Sequence, residues 1–266
     1  MLPRAAIALL LLIPGQAPAM AQTADKPVMG SAASEPATAT IAGEETPERQ
    51  RILVVGDAVG GGLGAGLLRM AEIDGGYDVT IRFNEESGLA RPEVYDWGGT
   101  VPKILDGKDY DVIVVMLGTN DRQQIRSGNS RFGFNSPEWV DAYRAQLDRL
   151  MEALTASGAR VIWVGPPPMA SSEYDAAMRT IMALQRARAA ANGVAFLDIR
   201  PYFLAPDGSY SDSGPDDTGT VRKLRGRDGI TFFRQGNNRL GQIVLEAIVS
   251  GAAVPAAVQA AAGGKT

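Results

Sequence analysis

The chain has 266 residues, 45% of them hydrophobic and 21% charged, a composition that suits one sizeable folded domain. A formal net charge of −4 leaves no basic excess to neutralise a phosphate backbone, which argues against a nucleic-acid partner. With no cysteine and no histidine, disulfides, thiol chemistry, imidazole metal ligands and the usual general base near neutrality are all excluded. Carboxylate-only cation sites stay open in principle, but no pattern demands a metal or a cofactor.

The first residues read as a secretory signal. Arg4 supplies a positive start, residues 5–13 form an apolar core too short to span a bilayer, and Ala19-Met20-Ala21 offers a small-x-small cleavage site. The expected product is a periplasmic or secreted chain beginning at Gln22; the other reading is a retained N-terminal anchor. Residues 22–49 are rich in Ala, Pro, Thr, Ser and Glu without apolar periodicity, as in a disordered linker. Residues 50–250 form the expected folded domain, and residues 251–266 a low-complexity Ala/Gly tail.

Within the domain, residues 52–55 (ILVV) are a continuous apolar run, the mark of a strand buried on both faces. Residues 77–83 alternate and suit a sheet edge. Residues 110–117 (YDVIVVML) and 160–164 (RVIWV) repeat the buried pattern, and residues 194–197 make a last short strand. Helical stretches fall between them, at residues 62–71, 136–156, 173–191 and 235–249. Ser136, Pro137 and Glu138 supply an N-cap hydroxyl, a proline at the first helical position and an acidic first turn. Gly158 and Gly193 stand where helices should end. This alternation predicts a three-layer α/β/α sandwich around a mostly parallel five-stranded sheet.

In such sheets ligands bind beyond the carboxyl ends of the strands, so the segments directly after each strand carry the functional information. They are ILVVGDA (52–58), SGLARPEVYDW (87–97), VVMLGTND (114–121), VIWVGPPPM (161–169) and GPDDTGTVRKLRGRDGITF (214–232). In these five blocks the sequence resembles the SGNH (GDSL-like) hydrolase superfamily over about residues 51–249. Within it, the chain is similar to an exported bacterial branch catalogued as a domain of unknown function that lacks the catalytic serine and histidine.

The resemblance implies a role for each matching position. A serine nucleophile would stand at 58 and a histidine base at 231, with Asp228 as the acid three residues earlier. Oxyanion donors would be the Ala58 N–H, the Gly88 N–H and the Asn120 side chain. The sequence has Ala58 and Thr231, so neither the nucleophile nor the base is present. A methyl group cannot attack a carbonyl, and a threonine hydroxyl cannot take a nucleophile's proton near neutrality. Loss of such a unit costs about 10⁶ in kcat in subtilisin, leaving roughly 10³–10⁴ over water from the anion hole and binding.

Three readings follow. The leading one is a pseudoenzyme that binds a periplasmic glycan, peptidoglycan fragment or acylated ligand in the former esterase cleft. The second is an unconventional ester hydrolase or acyl-transfer enzyme recruiting Asp57, Ser87 or Asp228. The third is a structural partner in a cell-envelope complex.

Further cleft candidates are Asp57, Ser87, Asp121, Arg225 and Arg227, each with a plainer reading. Asp57 could tie down the first loop, and Asn120 and Asp121 could cap a turn. Arg222, Lys223, Arg225 and Arg227 could pair with Asp212, Asp216 and Asp217, or could recognise an anionic polymer. The glycines at 60–62 do not make a P-loop or a dinucleotide fingerprint. The acidic stretch 207–217 lacks the spacing of a calcium loop. Trp139 and Trp163 read as core, and Trp97, after a strand-end loop, as the tryptophan free to face a ligand.

Overall fold

The computed structural model describes residues 48–251. The expected signal peptide, nearly all of the linker and the tail beyond Gly251 lie outside the described residues. Among these, no helix is long and apolar enough to cross a membrane.

In chain order the main elements are β1 (Gln50–Gly56), α1 (Ala58–Asp74), β2 (Tyr77–Phe83), α2 (Trp97–Leu105) and β3 (Val112–Met116). A hairpin follows, β4 (Ile125–Ser127) and β5 (Ser130–Phe132), then α3 (Pro137–Thr155), β6 (Arg160–Val164), α4 (Ser172–Ala191) and β7 (Ala195–Leu197). A second small hairpin, β8 (Ser213–Pro215) and β9 (Val221–Lys223), precedes α5 (Arg234–Ser250). The five long-range strands pair in the order β2-β1-β3-β6-β7, every pairing parallel. The sheet and four of its covering helices, α1, α3, α4 and α5, are those expected from the alternating apolar runs.

Period-two geometry explains why those runs are unbroken. Leu53, Val55, Ile113, Val115 and Trp163 point to one face, under α2, α3 and α4. Ile52, Val54, Val112, Val114 and Ile162 point to the other, under α1 and α5. A strand covered on both faces has no position left for a polar residue. β2 lies at the sheet edge and is only part-buried, which is why its residues alternate.

The glycine run in α1 is a packing device. A Cβ at Gly60 would press on the Met116 carbonyl, one at Gly64 would lie 2.8 Å from Ile81, and one at Gly66 would fall on the Asn237 carbonyl of α5. Glycine in a helix interior costs about 1 kcal/mol relative to alanine, and here the loss is offset by backbone-close contact with β2, β3 and α5. The helix also begins four residues before the expected Gly62, because Asp57 caps it: its Oδ1 accepts from the N–H groups of Val59 (3.0 Å) and Gly60 (3.3 Å).

α2 and both hairpins were not evident from the sequence. In α2, Gly98, Gly99 and Pro102 mask the helical pattern, while Asp96 caps its first turn through Gly99 N–H at 3.1 Å. Trp97 corrects an expectation. It is buried in the core, 1% exposed, with its indole N–H donating to Ser87 Oγ at 2.9 Å. It therefore offers no face to a ligand.

Candidate functional site

Strand order places the site. From β1 the chain goes to β2 on one side and returns to β3 on the other, so the sheet's switch point lies between the carboxyl ends of β1 and β3. The segments that leave those ends are residues 57–58 and 118–121.

Asp57 is the fastener there. It is fully buried, and beyond its capping bonds its Oδ2 accepts from Gly118 N–H (3.1 Å), Thr119 N–H (2.9 Å) and Thr119 Oγ1 (2.7 Å). Burial pushes its pKa up against the pull of those donors. Both oxygens of the carboxylate are thus engaged by the β1 and β3 loops, the tying role that short polar side chains often play in turns.

Asn120 and Asp121 bind the third loop, after β2, to this pair. The Asn120 amide nitrogen donates to the carbonyls of Glu85 and Ser87, both at 2.8 Å. Both of its hydrogens are thus engaged within the protein, and offering one to a ligand requires exchanging one of these bonds. Asp121 is 1% exposed. Its Oδ1 accepts from Leu89 N–H (2.8 Å) and Ala90 N–H (2.9 Å), and its Oδ2 accepts from the Tyr143 hydroxyl (2.8 Å). Burial, with a smaller contribution from the Asp57 charge, raises its pKa to about 6 against the pull of these donors. The Tyr143 hydroxyl is itself pushed well above its usual value by burial and by Asp121.

Gly88 stands against that carboxylate: a side chain at 88 would collide with Asp121 Oδ1. Ser87 is buried, its hydroxyl donating to Asn84 O (2.7 Å) while accepting from Trp97. As placed, Ser87 is a loop fastener and is out of reach of a ligand.

Between the bound loops, two backbone donors are left over. Ala58 is the first residue of α1 and is half-buried between the buried Asp57 and Val59. Neither its N–H nor that of Gly88 has an acceptor among the described residues. A helix N-terminus with unpaired N–H groups favours an anion, both through those groups and through the helix dipole.

The segment 225–231 reaches the same edge from the other side of α1. α1 and α5 run side by side: Gly62 faces the Asn237 side chain, one turn into α5, and Gly241 lies against Gly66 and Leu67. The segment just before α5 is therefore carried to the end of the sheet where α1 begins. There the Thr231 hydroxyl donates to Asp228 Oδ2 at 2.8 Å, and the N–H groups of Ile230 and Thr231 donate to Asp228 Oδ1, each at 2.9 Å. Burial opposes ionisation of Asp228, but these bonds outweigh it and hold the carboxyl below its ordinary range. Asp228 and Thr231 are thus paired with one another in a closed turn.

Arg225 holds that turn in place and does not project into a cleft. It is fully buried, and its guanidinium donates to the carbonyls of Pro168 (2.7 Å), Ile230 (2.8 Å) and Gly229 (3.3 Å) while stacking 4.3 Å over Phe232. Of the other basic residues nearby, Arg222 pairs with Asp216 at 2.8 Å and Lys223 with Asp212 at 3.1 Å. Arg227 is exposed and joins no ion pair among the described residues. In the acidic stretch, Asp216 Oδ1 is taken by the N–H groups of Thr218 (2.9 Å) and Thr220 (3.0 Å).

Sequence reasoning missed Thr119, Tyr143, Tyr174 and Gln185. Tyr174 donates to the Thr119 carbonyl, and Gln185 donates to Leu117 O at 2.8 Å. All but Thr119 come from helices on the far side of long connections, so no spacing signal exists for them. Thr119 sits inside the third block, next to Asn120, and only the fold reveals that its hydroxyl serves Asp57.

A five-stranded parallel sheet between two helical layers is the fold this chain shares with SGNH (GDSL-like) hydrolases of known structure. An aryl esterase from M. smegmatis is similar in structure at 17% identity and TM-score 0.54, covering 76% of this chain and 99% of that one. A GDSL-like lipase from Bacteroides thetaiotaomicron (14%, TM-score 0.55) covers 76% and 89%. A catalytic mutant of an acetylxylan esterase from Geobacillus stearothermophilus (18%, TM-score 0.51) covers 76% and 94%. At these identities the likeness is one of fold. By sequence the chain belongs to the family described as "Protein of unknown function (DUF459)", which matches residues 51–247. Among curated proteins, none matches it.

Proposed function

We propose that this protein is an exported pseudoenzyme of the SGNH fold, binding a periplasmic glycan, peptidoglycan fragment or acylated ligand where an esterase would hold its substrate. One observation carries the reading. The two positions assigned to nucleophile and base hold a methyl group and a hydroxyl already given to Asp228, whereas the Ala58 and Gly88 N–H groups have no acceptor among the described residues. Such a pair can polarise an ester or amide carbonyl, or accept a carboxylate, without reacting with it. The aryl esterase and the acetylxylan esterase among the structural neighbours support an acylated or carbohydrate ligand. The residues at 1–21 support export.

Recruitment of another residue for hydrolysis has less behind it. Asp57 is saturated with hydrogen bonds and Ser87 is buried behind Trp97. The test is calorimetric titration of the purified chain with acetylated xylo-oligosaccharides and with muropeptides. Saturable binding that weakens on Asn120→Ala, which would loosen the loop carrying Gly88, is the expected result. No binding by a well-folded chain, or binding indifferent to Asn120→Ala, would overturn the reading.

A further inference from the structure

The β4–β5 hairpin leaves the sheet four residues after Asp121, at the same carboxyl edge. Its register sets Ile125 opposite Phe132, Arg126 opposite Arg131 and Ser127 opposite Ser130. Ile125 is 4% exposed, and Phe132 packs on the core beneath α3 and α4. Side chains alternate along a strand, so anchoring this pair inward sends Arg126 and Arg131 together to the outer face. Directly opposed residues have Cβ atoms about 4.5–5.5 Å apart, a placement that is unfavourable for like charges.

Both arginines are exposed and neither joins an ion pair among the described residues. Their neighbours differ: Arg122 is paired with Glu173, and Arg91 with Glu93 and Gln123. The turn is a tight two-residue one, with Gly128 at φ 58°, so the repulsion is held in a defined geometry. A fork of two guanidiniums with no internal counter-ion is matched by a carboxylate from outside, which each can grip in a bidentate manner.

The tip decides what carries that carboxylate. Ser127, Gly128, Asn129 and Ser130 are small, polar and exposed, with no apolar side chain to enter a bilayer. Their hydroxyl and amide groups suit the hydroxyls of a sugar chain. Two guanidiniums on one short hairpin are too small a basic surface to track a phosphate backbone, whose affinity rests on many such contacts.

We propose that the β4–β5 hairpin is a binding arm for an acidic polysaccharide, with Arg126 and Arg131 gripping uronate-type carboxylates and the tip residues contacting the adjoining hydroxyls. Arg126 and Arg131 lie outside the loops that carry the Ala58 and Gly88 donors, so the proposal does not rest on what those donors bind.

The experiment titrates the full chain with oligogalacturonate, with neutral dextran as the hydroxyl-only control. Single-stranded DNA and anionic phosphatidylglycerol vesicles serve as charge-only controls. Expected are salt-sensitive binding to oligogalacturonate, none to dextran, and weaker binding to DNA and vesicles. Arg126→Ala with Arg131→Ala should weaken oligogalacturonate binding at least about tenfold, the equivalent of about 1.4 kcal/mol. The urea unfolding curve should not shift to lower denaturant, since relief of the repulsion can only stabilise the hairpin, and Asn120→Ala should leave this binding intact. Absence of binding, equal affinity for DNA or vesicles, or affinity unchanged in the double variant would overturn the proposal.

Discussion

An alcohol at position 58 would begin life in favourable surroundings. The residue is the first of α1, half-buried, with its own N–H and that of Gly88 free to meet developing negative charge. A histidine at 231 would lose the threonine hydroxyl bond to Asp228, but its Nδ1–H could donate to the same carboxylate. That carboxylate is held ionised by the N–H groups of Ile230 and Thr231, so it can orient an imidazole. Ala58→Ser combined with Thr231→His is therefore expected to hydrolyse p-nitrophenyl acetate at least about 10²-fold faster than the parent, the lower end for a positioned general base. Each single change should do almost nothing, because nucleophile and base act as a unit. A folded double variant no faster than the parent would show that Thr231 and Ala58 are not placed to share a proton.

At the scale of elements, two helices meet through glycine. Gly66→Ala would drive a Cβ onto the Asn237 backbone carbonyl, which cannot move without shifting α5. A contact this close to backbone calls for the upper end of the overpacking range, about 3 kcal/mol, against the roughly 1 kcal/mol that alanine returns through helix propensity. Gly62→Ala meets instead the Asn237 side-chain oxygen at 2.6 Å, the end of a group that can swing away. Urea denaturation should accordingly show Gly66→Ala destabilised by about 2 kcal/mol and Gly62→Ala within about 1 kcal/mol of the parent. Equal effects at the two positions would mean that α5 is not fixed against α1.

The same elements show what the sequence could disclose. Strands buried on both faces announce themselves as runs such as ILVV and VIVVM, because burial leaves no choice of side chain. The start of α1 was hidden because a capping aspartate and a run of glycines read as loop, although Asp57 is a cap and the glycines are contacts. The β4–β5 hairpin was hidden because three-residue strands are too short for alternation to register. At the site, Ala58, Gly88 and Asn120 could be placed from strand-end position, and the Arg225 clamp could not. A buried arginine and a solvent-facing one have the same neighbours in sequence; only the carbonyls of Pro168, Gly229 and Ile230 distinguish them.

For the whole molecule, the consequence is a stability that depends on pH in two opposing ways. Asp96, Asp175 and Asp216 have carboxyls held below the usual range. The donors responsible are chiefly Arg149, Met169 N–H with Arg200, and Thr218, working against burial at all three. Their contribution is present above the ordinary carboxylate pKa and is lost on acidification. Asp121 runs the other way. Burial raises its folded-state pKa from 3.8 to about 6, so between those values the folded protein binds more protons than the unfolded chain. Its contribution is complete below the ordinary value and is lost as the pH rises through about 6.

The opposing groups obscure this in the parent alone, but Asp121→Asn isolates it, since asparagine stands in for the protonated acid at every pH. Its Oδ1 can still accept from Leu89 and Ala90, and the Tyr143 hydroxyl can turn to accept from its amide. Unfolding free energies of parent and variant, compared at pH 4.5 and pH 7.5, should differ by about 2 kcal/mol more in the variant's favour at the higher pH. A difference that does not change between the two pH values would mean that Asp121 ionises in the fold as readily as in the unfolded chain. The buried carboxylate would then carry no cost that the loop around Gly88 has to bear.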